Sequence, residues 1–257
     1  DGIFYLGNHP FRCWLRSGHG TLNMAESIQF SCNEYFFNLG LQVGPERIAE
    51  AARDLGLGSK TGIALPYERS GLVPDPAWKR RVHRDGWRDG DTVNMSIGQG
   101  FLLVTPLQMA LATATIANGG TLYEPRLVTG VGDPLRAGYQ AVPSRKVREQ
   151  NWDIVDLDTI RRGMHAVVMS PRGTGRLANP KLPGIEVAGK TGSAQFGAGD
   201  DAGTHAWMVA FAPVDHPRYA VAVLVQEGIS GGSSAAPRMR RLLRGLLEPG
   251  GLDGGRG

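Results

Sequence analysis

The chain has 257 residues, of which 41% are hydrophobic and 20% charged, proportions that suit a globular protein with a sizeable core and exclude a disordered one. No run of about 18 apolar residues occurs, so this stretch encodes no membrane span, and two cysteines exclude a disulfide-built scaffold. A net charge of +4 is too weak to imply nucleic acid.

The opening DGIFYLGNHPFRCW starts at Asp1 rather than Met and reads like the middle of a protein, so we expect an upstream segment. Residues 1–20 read as strand or loop. Asn23 and Glu26 have capping-box spacing and predict a helix from Met24 to Phe30. A second helix begins at Asn33 and carries Tyr35, Phe36 and Leu39. Gly44-Pro45 restarts a helix, which stops at Gly56. Residues 58–104 read as a long irregular excursion with short strands. Within it Lys79, Arg80, Arg81, Arg84 and Arg88 alternate with Asp85, Asp89 and Asp91, the pattern of a solvated loop rather than a nucleic-acid patch.

Thr105-Pro106 opens the next helix, which ends at Asn118-Gly119-Gly120. Another is expected from Thr159 to Met169. IEVAGKTGSAQ, HAWMVAFAP and RYAVAVLVQE are strand-like runs parted by Gly, Asp and Pro. A last helix spans about Ala235 to Leu247, with Arg238, Arg240, Arg241 and Arg244 making one side basic. Residues 249–257, with five glycines in nine positions, are expected to be a disordered tail, and residues 1–248 one domain. Helices first, then a strand meander and a terminal helix predict an α+β fold, with a helix packed on an antiparallel sheet.

Two short motifs carry chemistry. Ser31-Cys32-Asn33 falls between two predicted helices, where polar residues are usually caps. Lys190-Thr191-Gly192-Ser193 falls in a predicted strand. There a Lys charge, two hydroxyls and a glycine that exposes backbone suit a carboxylate ligand. The tripeptide alone is weak, because Lys60-Thr61-Gly62 repeats it in an expected surface turn. Gly184 to Thr191 also fits the phosphate-binding pattern G-x-x-x-x-G-K-[ST], which would make the chain a P-loop NTPase. That motif needs a strand before Gly184 and a helix after Thr191, and neither flank suits it.

Ser-x-Asn followed by Lys-Thr-Gly makes two of the three motifs of penicillin-recognising serine acyl transferases. With GHGTLNMAESIQFSCNEYFFNLG, LGLGSKTGIALP, ERSGLVPD, NMSIGQGFLLVTPLQMALATATIANGG, VAGKTGSAQ and HAWMVAFAP, nearly the whole chain resembles the transpeptidase domain of elongation-type class B penicillin-binding proteins. The resemblance implies a helical half beside a five-stranded antiparallel sheet. The third motif, Ser-x-x-Lys, holds the family's nucleophile and base, and no serine of this sequence has Lys three positions later. We therefore expect it in the upstream segment, and this stretch alone to be inactive. A non-catalytic scaffolding module of the same fold is the alternative.

The resemblance also implies roles. Ser31 would relay protons between the absent base, the leaving nitrogen and Lys190. Asn33 would hold the acyl side chain. Thr191, Gly192 and Ser193 would grip the substrate carboxylate, with the Ser193 N–H as half of the oxyanion hole. The substrates would be D-Ala-D-Ala stem peptides of peptidoglycan, with β-lactams as mimics, and no cofactor would be required. Glycosyltransferase and scaffold proteins of the elongation machinery would be partners, on the outer face of the bacterial cytoplasmic membrane. Cys13, His19 and Cys32 are spaced C-x₅-H-x₁₂-C, and thiolate and imidazole are the ligands of structural zinc. They stand where some members of the family bind zinc, with Asp1 or a residue just before it as fourth ligand. A disulfide or a pair of buried thiols remain open readings.

Overall fold

The computed structural model describes residues 1–133, 138–197, 202–248 and 250. It begins with a hairpin of β1 (Ile3–Leu6) and β2 (His9–Arg12), followed by the helices α1 (Met24–Phe30), α2 (Asn33–Val43) and α3 (Pro45–Asp54). The Asn23 side chain accepts the Glu26 N–H while the Glu26 carboxylate accepts the Asn23 N–H, both at 2.9 Å, so α1 starts at its predicted residue.

The excursion after residue 58 departs from expectation. It holds two helices, α4 (Pro76–His83) and α5 (Asp89–Ser96), and in place of short strands only an isolated bridge between Leu72 and Leu103. Asp75 caps α4 by accepting the Trp78 N–H at 2.7 Å, with Pro76 in the first turn. Lys79 is not solvated: it is 5% exposed, and its Nζ lies 2.6 Å from Asp91 and 3.6 Å from Asp85. That buried ion pair ties α4 to α5.

α6 (Pro106–Ala117) follows, capped by Thr105 as expected. Its buried Gln108 donates to the carbonyls of Ser59 and Ser70, both at 2.8 Å, and so fastens the loop before α4. The strands β3 (Thr121–Tyr123), β4 (Gly130–Val131), β5 (Gln140–Ala141) and β6 (Lys146–Glu149) form two small antiparallel pairs, β3–β6 and β4–β5. The long helix α7 (Ile154–Met169) starts five residues before its predicted first turn, where Asp153 accepts the Val155 N–H.

The main sheet is a meander of β7 (Ala188–Phe196), β8 (Gly203–Ala212) and β9 (Tyr219–Val225), in that order and antiparallel throughout. Among the described residues it has three strands, not the five the resemblance implied, and β7 and β9 are its edges. α8 (Ala236–Leu247) closes the fold behind a wide turn at Gly231–Ala235. Of the expected tail only Gly250 lies within the described residues.

Two apolar clusters hold the elements. The larger joins Met164, Val167 and Val168 of α7 to Met208 and Phe211 of β8 and to Met239 and Leu243 of α8, burying one face of the sheet under two helices. The smaller packs Ala49, Leu57, Val73, Met95 and Ala112 in the helical half. α1 crosses α7 closely at Gly163, where a Cβ would lie 2.8 Å from the Ile28 Cβ and 2.9 Å from the Ala25 carbonyl. That close approach sets the end of α1 beside β7. Among the described residues no helix is long and apolar enough to cross a membrane.

Candidate active site

α1 ends at Ser31, whose backbone is left-handed (φ 54°, ψ 50°). The turn is closed by Ser31 N–H to the Ile28 carbonyl at 3.3 Å and Cys32 N–H to the Ser27 carbonyl at 3.1 Å. α2 starts two residues later, so Ser-x-Asn occupies a helix junction as its residue types predict. The junction turns the Ser31 hydroxyl toward the sheet. Lys190 Nζ on β7 lies 2.8 Å from Ser31 Oγ and 2.9 Å from the Thr191 carbonyl oxygen.

Both of these partners are uncharged. Burial of the ammonium among them lowers the Lys190 pKa from 10.5 to about 8. A lysine poised there exchanges a proton near neutral pH, and its hydrogen-bonded serine is a ready relay. Two residues 159 apart in sequence are thus joined into one proton-handling pair.

The other expected residues divide. Thr191 Oγ1 is 2.9 Å from Thr174 Oγ1, and the Thr174 hydroxyl also lies 3.4 Å from the Gln29 carbonyl. If Thr174 spends its proton on Gln29, Thr191 is the donor of the pair. Ser193 Oγ accepts the Gly231 N–H at 3.3 Å. The Asn33 amide donates to the Arg12 carbonyl at 3.2 Å, toward the hairpin rather than toward Lys190. Three contributors carried no sequence signal that we read. Gln99 donates to the Ser193 carbonyl at 3.0 Å, Thr174 supports Thr191, and Trp14 Nε1 donates to the Phe30 and Ser31 carbonyls at 2.9 and 3.1 Å. Each acts through backbone groups or a lone hydroxyl, which any sequence offers in plenty.

The phosphate-loop reading is overturned. The residues after Thr191 continue as β7 to Phe196, not as a helix, so no helix N-terminus is available for a phosphate.

Beside Ser31 the ligand atoms of Cys13, His19 and Cys32 all lie within 4.8 Å of one another, with Cys13 Sγ 3.5 Å from His19 Nδ1. Both cysteines are free and buried, so the structure contains no disulfide between them. Cys13 Sγ also accepts the N–H of Asn33 at 3.4 Å. Burial lowers the His19 pKa against a smaller opposing pull from Glu34, and burial raises that of Cys32. Asp1 lines a cavity of about 300 Å³ with His19, Cys32 and Glu34, and its Oδ1 accepts the Ile3 N–H at 3.3 Å.

Residues 2–244 match the family model described as the penicillin binding protein transpeptidase domain. The chain belongs to that family. The transpeptidase domain is 37% identical over 248 residues to the peptidoglycan D,D-transpeptidase MrdA of Acinetobacter baumannii, covering 91% of this chain and 36% of that protein. It is 30% identical to MrdA of Escherichia coli K12, covering 93% of this chain and 38% of that protein. It therefore spans well under half the length of these relatives. Among solved structures, PBP2 of Pseudomonas aeruginosa in complex with WCK 5153 superposes with a TM-score of 0.84 at 32% identity, over 96% of this chain and 54% of that one. PBP2 of Helicobacter pylori, solved in complex with MreC, superposes at 0.78 with 33% identity, over 96% of this chain and 44% of that one. The fold is thus the penicillin-binding transpeptidase fold, α+β as the sequence predicted.

Proposed function

We propose that this domain forms most of the acyl-transfer site of a serine D,D-transpeptidase in cell-wall elongation. The Lys190–Ser31 pair carries the reading: a lysine with pKa about 8, hydrogen-bonded at 2.8 Å to a hydroxyl at the edge of the sheet. The nucleophilic serine and its lysine belong to a Ser-x-x-Lys segment outside this sequence, a placement supported by the greater length of the relatives. The serine oxygen bonds to the penultimate D-Ala carbonyl of a stem peptide, and the C–N bond to the terminal D-Ala breaks. Ser31 passes the proton that the leaving amine needs. An amine of a second stem then takes the acyl group, releasing the serine and forming a cross-link. Lys190 as a cation attracts the substrate's terminal carboxylate, which Thr191 binds with its hydroxyl beside Gly192. The N–H of Ser193 serves one side of the oxyanion, and Asn33 holds the acyl side chain once its amide turns from Arg12. β-Lactams enter as mimics of D-Ala-D-Ala.

In the whole protein we place this domain on the outer face of the bacterial cytoplasmic membrane. Scaffold and glycosyltransferase partners are supported by the MreC complex of the Helicobacter pylori relative and by a similar chain in a peptidoglycan synthase complex. The decisive experiment is intact mass after incubating benzylpenicillin with the chain extended upstream in its own reading frame. A one-to-one penicilloyl adduct is expected. No adduct on a folded extended chain would replace the enzyme by a scaffolding module.

Cys13, His19 and Cys32 fit structural zinc. Three ligand atoms of the preferred kind converge, and His19 Nε2 is buried without a hydrogen-bond partner among the described residues. The Asp1 carboxylate is outside that cluster and accepts the Ile3 N–H, so the fourth ligand of this proposal is Asp1 once it turns into the adjoining cavity, or a residue just before it. Zinc there supplies a cross-link between the segment after β2 and the α1–α2 junction that positions Ser31. Metal analysis should find one zinc per chain, and a chelator should lower the melting temperature; a metal-free chain whose melting the chelator leaves unchanged would refute the site.

A further inference from the structure

The outer edge of β7 is covered by one side chain in an unusual way. Gln99 Nε2 donates to the Ser193 carbonyl at 3.0 Å, and Gln99 Oε1 accepts the Gln195 N–H at 3.3 Å. A residue of a parallel β-strand opposite Ala194 would make the same two bonds: its N–H to the residue before, its carbonyl from the residue after. The carboxamide of Gln99 therefore presents to this edge the N–H and C=O pair that one residue of a neighbouring strand would present.

Everything around Gln99 suits a part that comes and goes. It stands between Gly98 (φ 78°) and Gly100 (φ 75°), both in the left-handed region. No neighbour lies within 4 Å of a Cβ built on Gly98, and Gly100 meets only the Asn94 Cβ at 3.4 Å. The loop is held by its own backbone, Gln99 N–H to the Asn94 carbonyl at 3.0 Å. Among the described residues the side chain makes no other hydrogen bond, and Ser193 and Gln195 are exposed. An edge strand with free donors and acceptors invites an extended peptide.

We propose that Gln99 is a displaceable latch: it satisfies the Ser193 and Gln195 backbone while the cleft is empty, and an extended peptide must push it aside to pair with β7. The identity of that peptide, a stem ending in D-Ala-D-Ala, rests on the transpeptidase reading. The latch makes the edge selective for ligands that offer a backbone donor to the Ser193 carbonyl. Ligands without one leave the latch shut and gain nothing from β7.

The test uses the full-length protein and Nα,Nε-diacetyl-L-Lys-D-Ala-D-Ala, titrated by NMR. Gln99→Ala removes the competitor and should bind the peptide about three- to tenfold more tightly, the worth of roughly one hydrogen bond. Gln99→Glu keeps the acceptor for Gln195 but faces the Ser193 carbonyl with an oxygen, and should tighten binding in the same direction. In the wild type, the Gln99 side-chain NH₂ resonances should shift on saturation. Unchanged, weaker or undetectable binding by both variants, with melting temperatures near wild type, overturns the latch. A Gln99 that merely braced β7 would give the weaker binding. Benzylpenicillin acylation of the same proteins reports the transpeptidase reading separately. Acylation without tighter peptide binding sinks the latch alone, and absence of acylation sinks the enzyme reading alone.

Discussion

At residues 60–62 Lys-Thr-Gly lies in a loop. Thr61 spends both its N–H and its hydroxyl on Glu68 Oε1, at 2.7 and 2.5 Å, and holds that carboxyl below its usual pKa, while Lys60 points into solvent. At residues 190–192 the same tripeptide runs along a sheet edge. Its lysine is drawn into the protein against Ser31, and its threonine hydroxyl meets Thr174. The letters are identical, so the difference comes from what each copy faces. A nearby carboxylate absorbs the first threonine's donors and closes a turn. Neutral oxygens and burial leave the second lysine needing a proton partner, which is what a reacting group requires.

Lys79 makes the same point from the other side. It too is drawn off the surface, at 5% exposure, but Asp91 and Asp85 neutralise it, and it serves to join α4 to α5. A buried lysine with counter-ions braces the fold, whereas Lys190, buried among neutral oxygens, gives up its proton more easily than a free lysine.

The widest separation between the two Lys-Thr-Gly copies should appear on truncation. Lys190→Ala in the extended chain is expected to slow benzylpenicillin acylation by about 10²–10³-fold, as loss of a preorganised charge at a reacting centre does. Lys60→Ala should leave the rate unchanged. Equal effects in rapid-mixing mass spectrometry would erase the distinction. The pH profile sharpens it. Lys190 is a cation below about 8 and attracts the carboxylate of the ligand, so acylation should fall as pH rises through that value. Lys190→Arg keeps its charge and should lose that limb. The stability sign is the reverse: the unfolded lysine holds its proton up to about 10.5, so between these two values the folded state gains stability as pH rises.

Next in size is the Lys79 pair. Asp91→Asn strands a buried ammonium and should cost roughly 3 kcal/mol in urea denaturation, somewhat less if Asp85 closes in. A loss no larger than that of a surface charge would mean Lys79 is not held as described. Smallest is Thr174→Val, which removes one hydroxyl from the Thr191 pair. It should cost about 1 kcal/mol and leave a wild-type response to pH.

Much of this was legible beforehand. Asn23 and Glu26 placed α1 to the residue, and Thr105-Pro106 placed α6, because caps are local chemistry. α4 had its own cap and proline at Asp75-Pro76, but the dense charge after it suggested solvent, and only the fold shows that Asp91 returns to bury Lys79. α5 has Gly and Asp in its first turn and poor helix propensity. It exists because Val93 and Met95 are buried. Ser31 and Lys190 were singled out through the family's motifs, but nothing in their spacing predicts a 2.8 Å contact. Gln99 stood in a quoted segment without a role, since a glutamine bonding to backbone has no pattern to match.

The left-handed backbone of Ser31 has a consequence for drift and for engineering. A serine in that conformation is strained by about 1 kcal/mol relative to glycine, which adopts it freely. Ser31→Gly relieves that strain but takes a hydrogen bond from the buried Lys190 ammonium, worth about 1.5–3 kcal/mol, so below about pH 8 it should lower the melting temperature. Above that pH the lysine sheds its charge, the loss shrinks and the relief of strain is left. A library sorted for thermal stability in alkaline buffer would enrich that variant and return well-folded, silent domains, whereas one sorted near neutral pH would keep the serine, because there the hydroxyl serves stability and chemistry together.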